Sequence, residues 1–232
     1  MKLKKMIAAL AVSAALTVGA VAENHPYGMD IAVGIIGIES TTISYDWWQN
    51  NWTRRTVEAK EIGVNFFPLK INTYLCPWLN HHLGLYGSVG LLPGIHIPDN
   101  NANNNVSFVI AGEFMFGPAF GVDLGESSVR FQVGAPFHAV VGGGKTYLGV
   151  NWNNNNNVTT IAEQDYFYYG LGIGLTPQFR FGANKRCSFV VGMDFVFDFA
   201  GNVKVANTWA NPDRFFRFSW TPYLGLGINF GD

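Results

Sequence analysis

The chain has 232 residues, a formal net charge of −1 and only 13% charged side chains, about half of the roughly 25% usual in soluble domains. Aromatic residues reach 15%, and there are 27 glycines. So few charges, with no basic cluster among them, exclude nucleic acid as a partner and imply that much of the surface faces something other than water.

The first segment reads MKLKKMIAALAVSAALTVGAVAEN. Lys2, Lys4 and Lys5 precede an apolar run from Met6 to Val18, and Ala20-Val21-Ala22 supplies a small-residue cleavage pattern. This predicts a secretory signal peptide over 1–22, too short to serve as a spanning helix. Residues 23–232 then suit one domain. Without the leader lysines, twelve basic side chains face sixteen acidic ones. No cysteine lies near the cleavage point, which argues against a lipid anchor there.

Strand one is expected at about 27–40, where Met29, Ile31, Val33 and Ile35 alternate with Asp30, Ala32 and Gly34. Its phase slips at Ile35-Ile36-Gly37, as a bulge or bend would cause. Residues 41–55 are expected to be a loop or protruding hairpin. Strand two is expected at about 56–67, with Ile62, Val64 and Phe66 on one face. Glu58 and Lys60 continue that face, so its upper half must leave any apolar layer. Residues 68–81 carry two prolines and predict an unusually long connection.

Strand three (82–97) is followed by a polar loop, PDNNANNN. Strand four (107–124) ends in a tight turn at 125–128, and strand five covers 129–141. The longest loop, 142–165, leads to strand six (166–181), then a tight turn at 183–186. Strand seven (187–199) is followed by a polar loop, 200–214. The last stretch, FFRFSWTPYLGLGINF over 215–230, alternates for sixteen residues. Soluble strands usually run about 5–6 residues, and a tilted membrane strand needs about 9–11 in the apolar layer. The fold class expected is therefore all-β, an eight-stranded antiparallel up-and-down transmembrane barrel.

The alternating apolar face points either inward, as in a soluble barrel, or outward to lipid. The opposite face carries glycines and mixed charges with almost no lysine, unlike a solvent face. Phenylalanine and tryptophan gather near strand ends, where interfacial girdles belong. An Arg or Lys at the lipid midplane costs about 2–4 kcal/mol, and the apolar faces of strands three to eight hold none. Lipid outside and charges inside is the reading these features favour. An even strand count puts both termini on one side, expected to be periplasmic because short turns belong there.

The segment around Trp220 and Tyr223-Leu224-Gly225-Leu226-Gly227-Ile228-Asn229-Phe230 resembles the C-terminal signal read by the barrel assembly machinery. Tyr223, Leu224, Leu226, Ile228 and Phe230 would carry it, although Gly231 and Asp232 follow the aromatic that normally ends it. As architecture the whole mature chain resembles the small eight-stranded outer-membrane proteins, particularly the OmpW-like family. That resemblance implies a bacterial outer-membrane location, outer-membrane lipid as surroundings and a barrel interior that takes small hydrophobic solutes.

Buried charges need partners, so Asp30, Glu61, Glu113, Arg130, Arg180, Asp194, Asp198 and Arg217 are expected to pair across the lumen. They would be either structural cross-links or a polar gate. Arg130, Arg180, Asp30 and Glu61 are expected in the lower barrel, the rest from the middle upwards. Tyr86, Leu92, Tyr166, Tyr168 and Phe215 are expected near the outer end. With Tyr223 they would line a solute path or pack a closed core, glycines relieving the crowding around Tyr86, Tyr168 and Tyr223.

Trp47, Trp48, Trp52, Trp152 and Trp209 fall in expected external loops, as girdle anchors or as a surface for a host ligand. Cys76 and Cys187 both fall at the periplasmic end, where disulfides are permitted, but their strands stand far apart around the ring. His81-His82 near Cys76 shows no closed zinc spacing, so no metal or cofactor is expected. No nucleophile motif surrounds any serine that His138 could serve, which argues against an enzyme. The sequence thus predicts a narrow channel for small solutes, the alternative being a non-conducting surface protein acting through its Trp- and Asn-rich loops.

Overall fold

The computed structural model describes residues 27–48, 54–79, 81–98, 106–124, 128–146, 164–183, 185–205, 208–209 and 211–230. The expected signal peptide, Trp52, Trp152 and the Asn runs lie outside these residues. Twelve strand segments follow in order: β1 (Tyr27–Gly34), β2 (Ile36–Trp48), β3 (Arg54–Phe66), β4 (Leu69–Trp78), β5 (Leu83–Pro98) and β6 (Ser107–Asp123). Then come β7 (Val129–Gly134), β8 (Phe137–Thr146), β9 (Gln164–Phe181), β10 (Cys187–Val205), β11 (Thr208–Trp209) and β12 (Arg214–Phe230). All pairings are antiparallel and form a ring of eight staves, because β1–β2, β3–β4 and β7–β8 are single staves interrupted once. The ring closes where Tyr27 to Gly34 pair with Phe230 to Tyr223, and higher up where β12 pairs β2 from Arg214↔Ser44 to Trp220↔Ile38.

Each interruption has a local cause. Proline donates no hydrogen bond to a ladder, and Pro68 and Pro136 sit at two of the breaks. The first two staves break together: Gly34 N donates to Pro68 O at 2.7 Å, and Phe67 takes a positive φ of 48°. The phase slip at Ile35 is this shared kink. In the fifth stave, Ala135 N donates to Pro118 O at 2.9 Å and Gly174 N to Pro136 O at 2.8 Å. The ladder therefore stays hydrogen-bonded around the interruption, as a backbone in lipid requires.

Several expected boundaries are corrected. Residues 69–78 are not a connection but the lower half of the second stave, pairing β1 and β5. Proline misleads here because Pro68 ends one segment without ending the stave. Of the two readings of 41–55, a loop or a protruding hairpin, the structure has the hairpin: β2 runs to Trp48 and β3 starts at Arg54, the Trp47↔Arg55 and Trp48↔Arg54 positions being paired. Trp47 and Trp48 thus belong to a hairpin end. Gly142 to Thr146 and residues 200–205 likewise extend β8 and β10.

Side chains sort as alternation demands. Along β6, burial switches at nearly every residue, and Phe108, Ile110, Phe114, Phe116 and Phe120 form the exposed set. The same outward set on the other staves includes Ile173, Phe179, Phe189, Leu224 and Leu226. In water so wide an apolar belt would drive association; around a closed barrel it matches acyl chains. Inside, large rings lie over glycines. A Cβ on Gly192 would fall 2.5 Å from the Tyr223 hydroxyl, one on Gly142 2.3 Å from the Tyr168 ring and one on Gly134 2.8 Å from the Tyr86 ring.

Ile173, midway along β9 and half exposed on the belt, tests the orientation. Ile173→Arg is expected to cost about 2–4 kcal/mol, read from urea unfolding of the barrel refolded in phospholipid vesicles.

Candidate functional site: an ion-pair column in the lumen

The alternation that turns phenylalanine outward turns every second residue into the lumen. Asp30, Glu39, Glu61, Lys70, His96, Arg130, His138, Arg180, Asp194, Asp198 and Arg217 are all at most 3% exposed, and Glu113 is 7% exposed. Ions held this dry persist only when paired and hydrogen-bonded. From mid-barrel upward they form one continuous column. Lys70 pairs with both Asp194 and Glu113, and Glu113 faces His138 Nε2 at 3.6 Å. His138 Nδ1 lies 2.6 Å from Asp198 Oδ1. Arg217 Nη1 donates to Asp198 Oδ2 at 2.9 Å and its Nη2 to Glu39 Oε2 at 2.6 Å. Finally His96 bridges Glu39, at 2.6 Å through Nε2, and Glu61, at 3.0 Å through Nδ1.

The register explains how these side chains meet. Asp198 and Arg217 are direct cross-strand partners. Three other pairs each reach across an intervening stave, and at each crossing that stave carries glycine. Gly90 stands between Lys70 and Glu113, Gly63 between Glu39 and His96, and Gly172 between Asp198 and His138. A Cβ on Gly63 would fall 2.3 Å from Glu39 Cγ, and one on Gly90 2.6 Å from Glu113 Oε1. At Gly63 and Gly90 the missing side chain is the gap through which the carboxylate passes.

Below the column lies a second polar cluster. Arg180 Nη2 donates to Asp30 Oδ2 at 2.7 Å, and its Nη1 donates to Ser188 Oγ at 2.9 Å and Asn229 Oδ1 at 2.8 Å. Asn72 Nδ2 adds a bond to Asp30 Oδ1 at 2.9 Å. Lower still, Arg130 Nη1 donates to Asp123 at 2.9 Å and its Nη2 to the His81 carbonyl. Asn229 Nδ2 reaches the carbonyls of Gly182, Ala183 and Lys185, tying the closing strand to the β9–β10 turn.

All eight expected lumen charges are in these networks. The expected height of Glu61 is corrected: it pairs across from Thr41 and Pro98, near the outer end, because the second stave continues below it to Trp78. Glu39, Lys70 and His96 also belong to the column but are not singled out in the sequence, Glu39 following the phase slip and Lys70 the proline. The signal that could have found them is a charge whose neighbouring staves offer glycine.

Apolar groups fill the lumen at other levels. Leu92, Tyr166, Tyr168 and Phe215 cluster with Ile43 and Val109 near the outer end. Tyr86 is corrected to a lower level, packing on Tyr74 with ring centroids 4.7 Å apart, because β5 begins at Leu83. Tyr223 lies with Ala32 and Val190 and donates to Gln178 Oε1 at 3.1 Å. Trp209 stands outside the barrel, half exposed, against Phe167 at 6.0 Å and Tyr169 at 5.8 Å. Cys76 is buried, Cys187 is exposed, and both are free. Both ring nitrogens of His138 are turned to carboxylates rather than to a hydroxyl.

Breaking one member of a buried network leaves a partner's charge uncompensated, at about 3–5 kcal/mol. Arg217→Met is expected to lose that much in urea unfolding from vesicles. Lys60→Ala, which removes the exposed pair with Glu58, is expected to change stability by less than about 1 kcal/mol.

No family profile and no curated protein matches the chain. Among solved structures it is similar to the outer membrane protein OprG from Pseudomonas aeruginosa, with 10% identity over 90% of this chain and 99% of that one, at a TM-score of 0.52. Neisserial surface protein A (NspA) matches at 11% identity over 88% of this chain and 97% of its own, with a TM-score of 0.46. Ail, the attachment invasion locus protein of Yersinia pestis, solved with the heparin analogue sucrose octasulfate, matches at 11% identity over 89% and 99%, with a TM-score of 0.37. At such identities the likeness concerns fold, and the OprG match carries it. The chain has the fold of the small eight-stranded outer-membrane β-barrel proteins, the architecture that resemblance to the OmpW-like family implied.

Proposed function

We propose that this protein resides in the bacterial outer membrane as a barrel that does not conduct along its axis at rest, with both termini periplasmic and its function carried by the outward hairpins. The single observation supporting this is the burial of the lumen charges, each at most 7% exposed. Wall residues of a water-filled conduit would be wet. An interior packed in this way acts as a core that stiffens the scaffold beneath the outer loops, where binding functions concentrate. The Leu224, Leu226 and Ile228 side chains, exposed on β12, fit a role in recognition by the barrel assembly machinery during insertion.

The second reading, a gated conduit for small and hydrophobic solutes, draws on a different observation. Glu39, Glu113 and Asp198 each face two basic partners, so a cation could leave one carboxylate without stranding it. The Leu92, Tyr166, Tyr168 and Phe215 cluster would then have to part as well. Such motion needs several buried pairs to rearrange together, which favours the closed barrel.

Planar-bilayer recording and liposome swelling separate the two. The wild-type barrel is expected to be silent in both, and Lys70→Met combined with Arg217→Met to give conductance if it inserts. Steady wild-type conductance would overturn the closed reading and support the conduit. For the surface role, cells displaying the protein are expected to adhere to a panel of immobilised glycans and matrix proteins. The Trp47→Ala, Trp48→Ala, Trp152→Ala triple variant is expected to lose that adhesion.

A further inference from the structure

The upper end of the column poses a hydrogen-bonding problem with one economical solution. His96, on β5, has a carboxylate at each ring nitrogen: Glu39 of β2 at 2.6 Å from Nε2 and Glu61 of β3 at 3.0 Å from Nδ1. Neutral imidazole offers one N–H and one lone pair, so it can donate to one carboxylate only and must turn its lone pair toward the other. Imidazolium donates to both. The three residues come from the first three staves, so one protonated ring ties those staves together.

The surroundings point the same way. Arg217 of β12 donates to Glu39 Oε2 at 2.6 Å and Asn65 Nδ2 donates to the same oxygen at 3.1 Å, leaving Oε1 turned to His96. From β9, the Tyr166 and Tyr168 rings lie with centroids 6.2 Å from the His96 ring. From β6, Ser107 is the register partner of His96. Asp198 stands behind Arg217 at 2.9 Å. The described groups facing this ring are thus two carboxylates, one guanidinium already engaged by carboxylates, and two phenol rings.

We propose that Glu39, His96 and Glu61 form a proton-binding site near the outer end of the lumen, a latch that holds the first three staves together while His96 is imidazolium. Its ligand is the proton itself. Loss of that proton leaves two carboxylates about a neutral ring that can satisfy one of them, directly beneath the β2–β3 hairpin. Alkaline conditions therefore release the latch, and neutral or acidic conditions set it. The inference does not depend on whether the barrel conducts.

The test is ¹⁵N NMR of histidine-labelled protein refolded in phospholipid nanodiscs, with the ring signals correlated to the His96 backbone. At pH 8, where a free imidazole with a pKa of about 6.5 is neutral, both Nδ1 and Nε2 of His96 are expected to carry protons. A neutral tautomer at pH 8 would overturn the proposal. Glu61→Gln keeps the side-chain shape and supplies an amide that can donate to the ring. In this variant His96 is expected to lose its proton at least one pH unit earlier, and an unchanged midpoint would also sink the latch. Linkage gives an independent reading: between the ring's midpoint in Glu61→Gln and its higher midpoint in the wild type, the wild-type folding constant is expected to fall about tenfold more per pH unit than that of Glu61→Gln. Profiles that stay parallel across that interval would contradict it.

Discussion

Charge that cannot face acyl chains must go inside, and in a barrel of eight staves inside means against other side chains. That constraint organises this molecule. In the column from Asp194 through Lys70, Glu113, His138, Asp198, Arg217, Glu39 and His96 to Glu61, each charged group faces one of opposite sign. The column occupies the place that a hydrophobic core takes in a soluble domain. Glu39, Glu113 and Asp198 are each shared by two bases, so no single pair is the whole network.

Glycine makes the network sterically feasible. Neighbouring staves stand about 4.8 Å apart, so a pair separated by one stave must cross roughly twice that distance over whatever the middle stave presents. Gly63, Gly90 and Gly172 present nothing. The same economy lets Arg180 reach Asp30 over Gly227, where a Cβ would fall 2.6 Å from its Nη1. Through Asn229 of β12 and Asp30 of β1 that arginine links the β9–β10 hairpin to both sides of the closing seam. The seam between first and last strands is therefore held by side chains as well as by its ladder.

The shared kink of the first two staves shows how a barrel absorbs proline. Pro68 removes a donor and Phe67 adopts a left-handed backbone, yet the Pro68 carbonyl still takes the Gly34 N–H. The two staves bend together, so register resumes on both sides of the break. This is also where local reading goes astray, because a proline that ends a segment in a soluble protein here interrupts a stave that continues for ten more residues.

The alternation of β5, β6, β9, β10 and β12 was legible from the chain alone, since side-chain direction in a strand is a local property with a period of two. From it followed the outward phenylalanines, the inward Asp194, Asp198 and Arg217, and the architecture. What only the tertiary structure decided was who meets whom. Glu39 and His96 are separated by 57 positions in the chain and meet because the register places Gly63 between them. Lys70 joins Asp194 across 124 positions. Register between distant staves depends on where each one kinks and closes, and no local period encodes that.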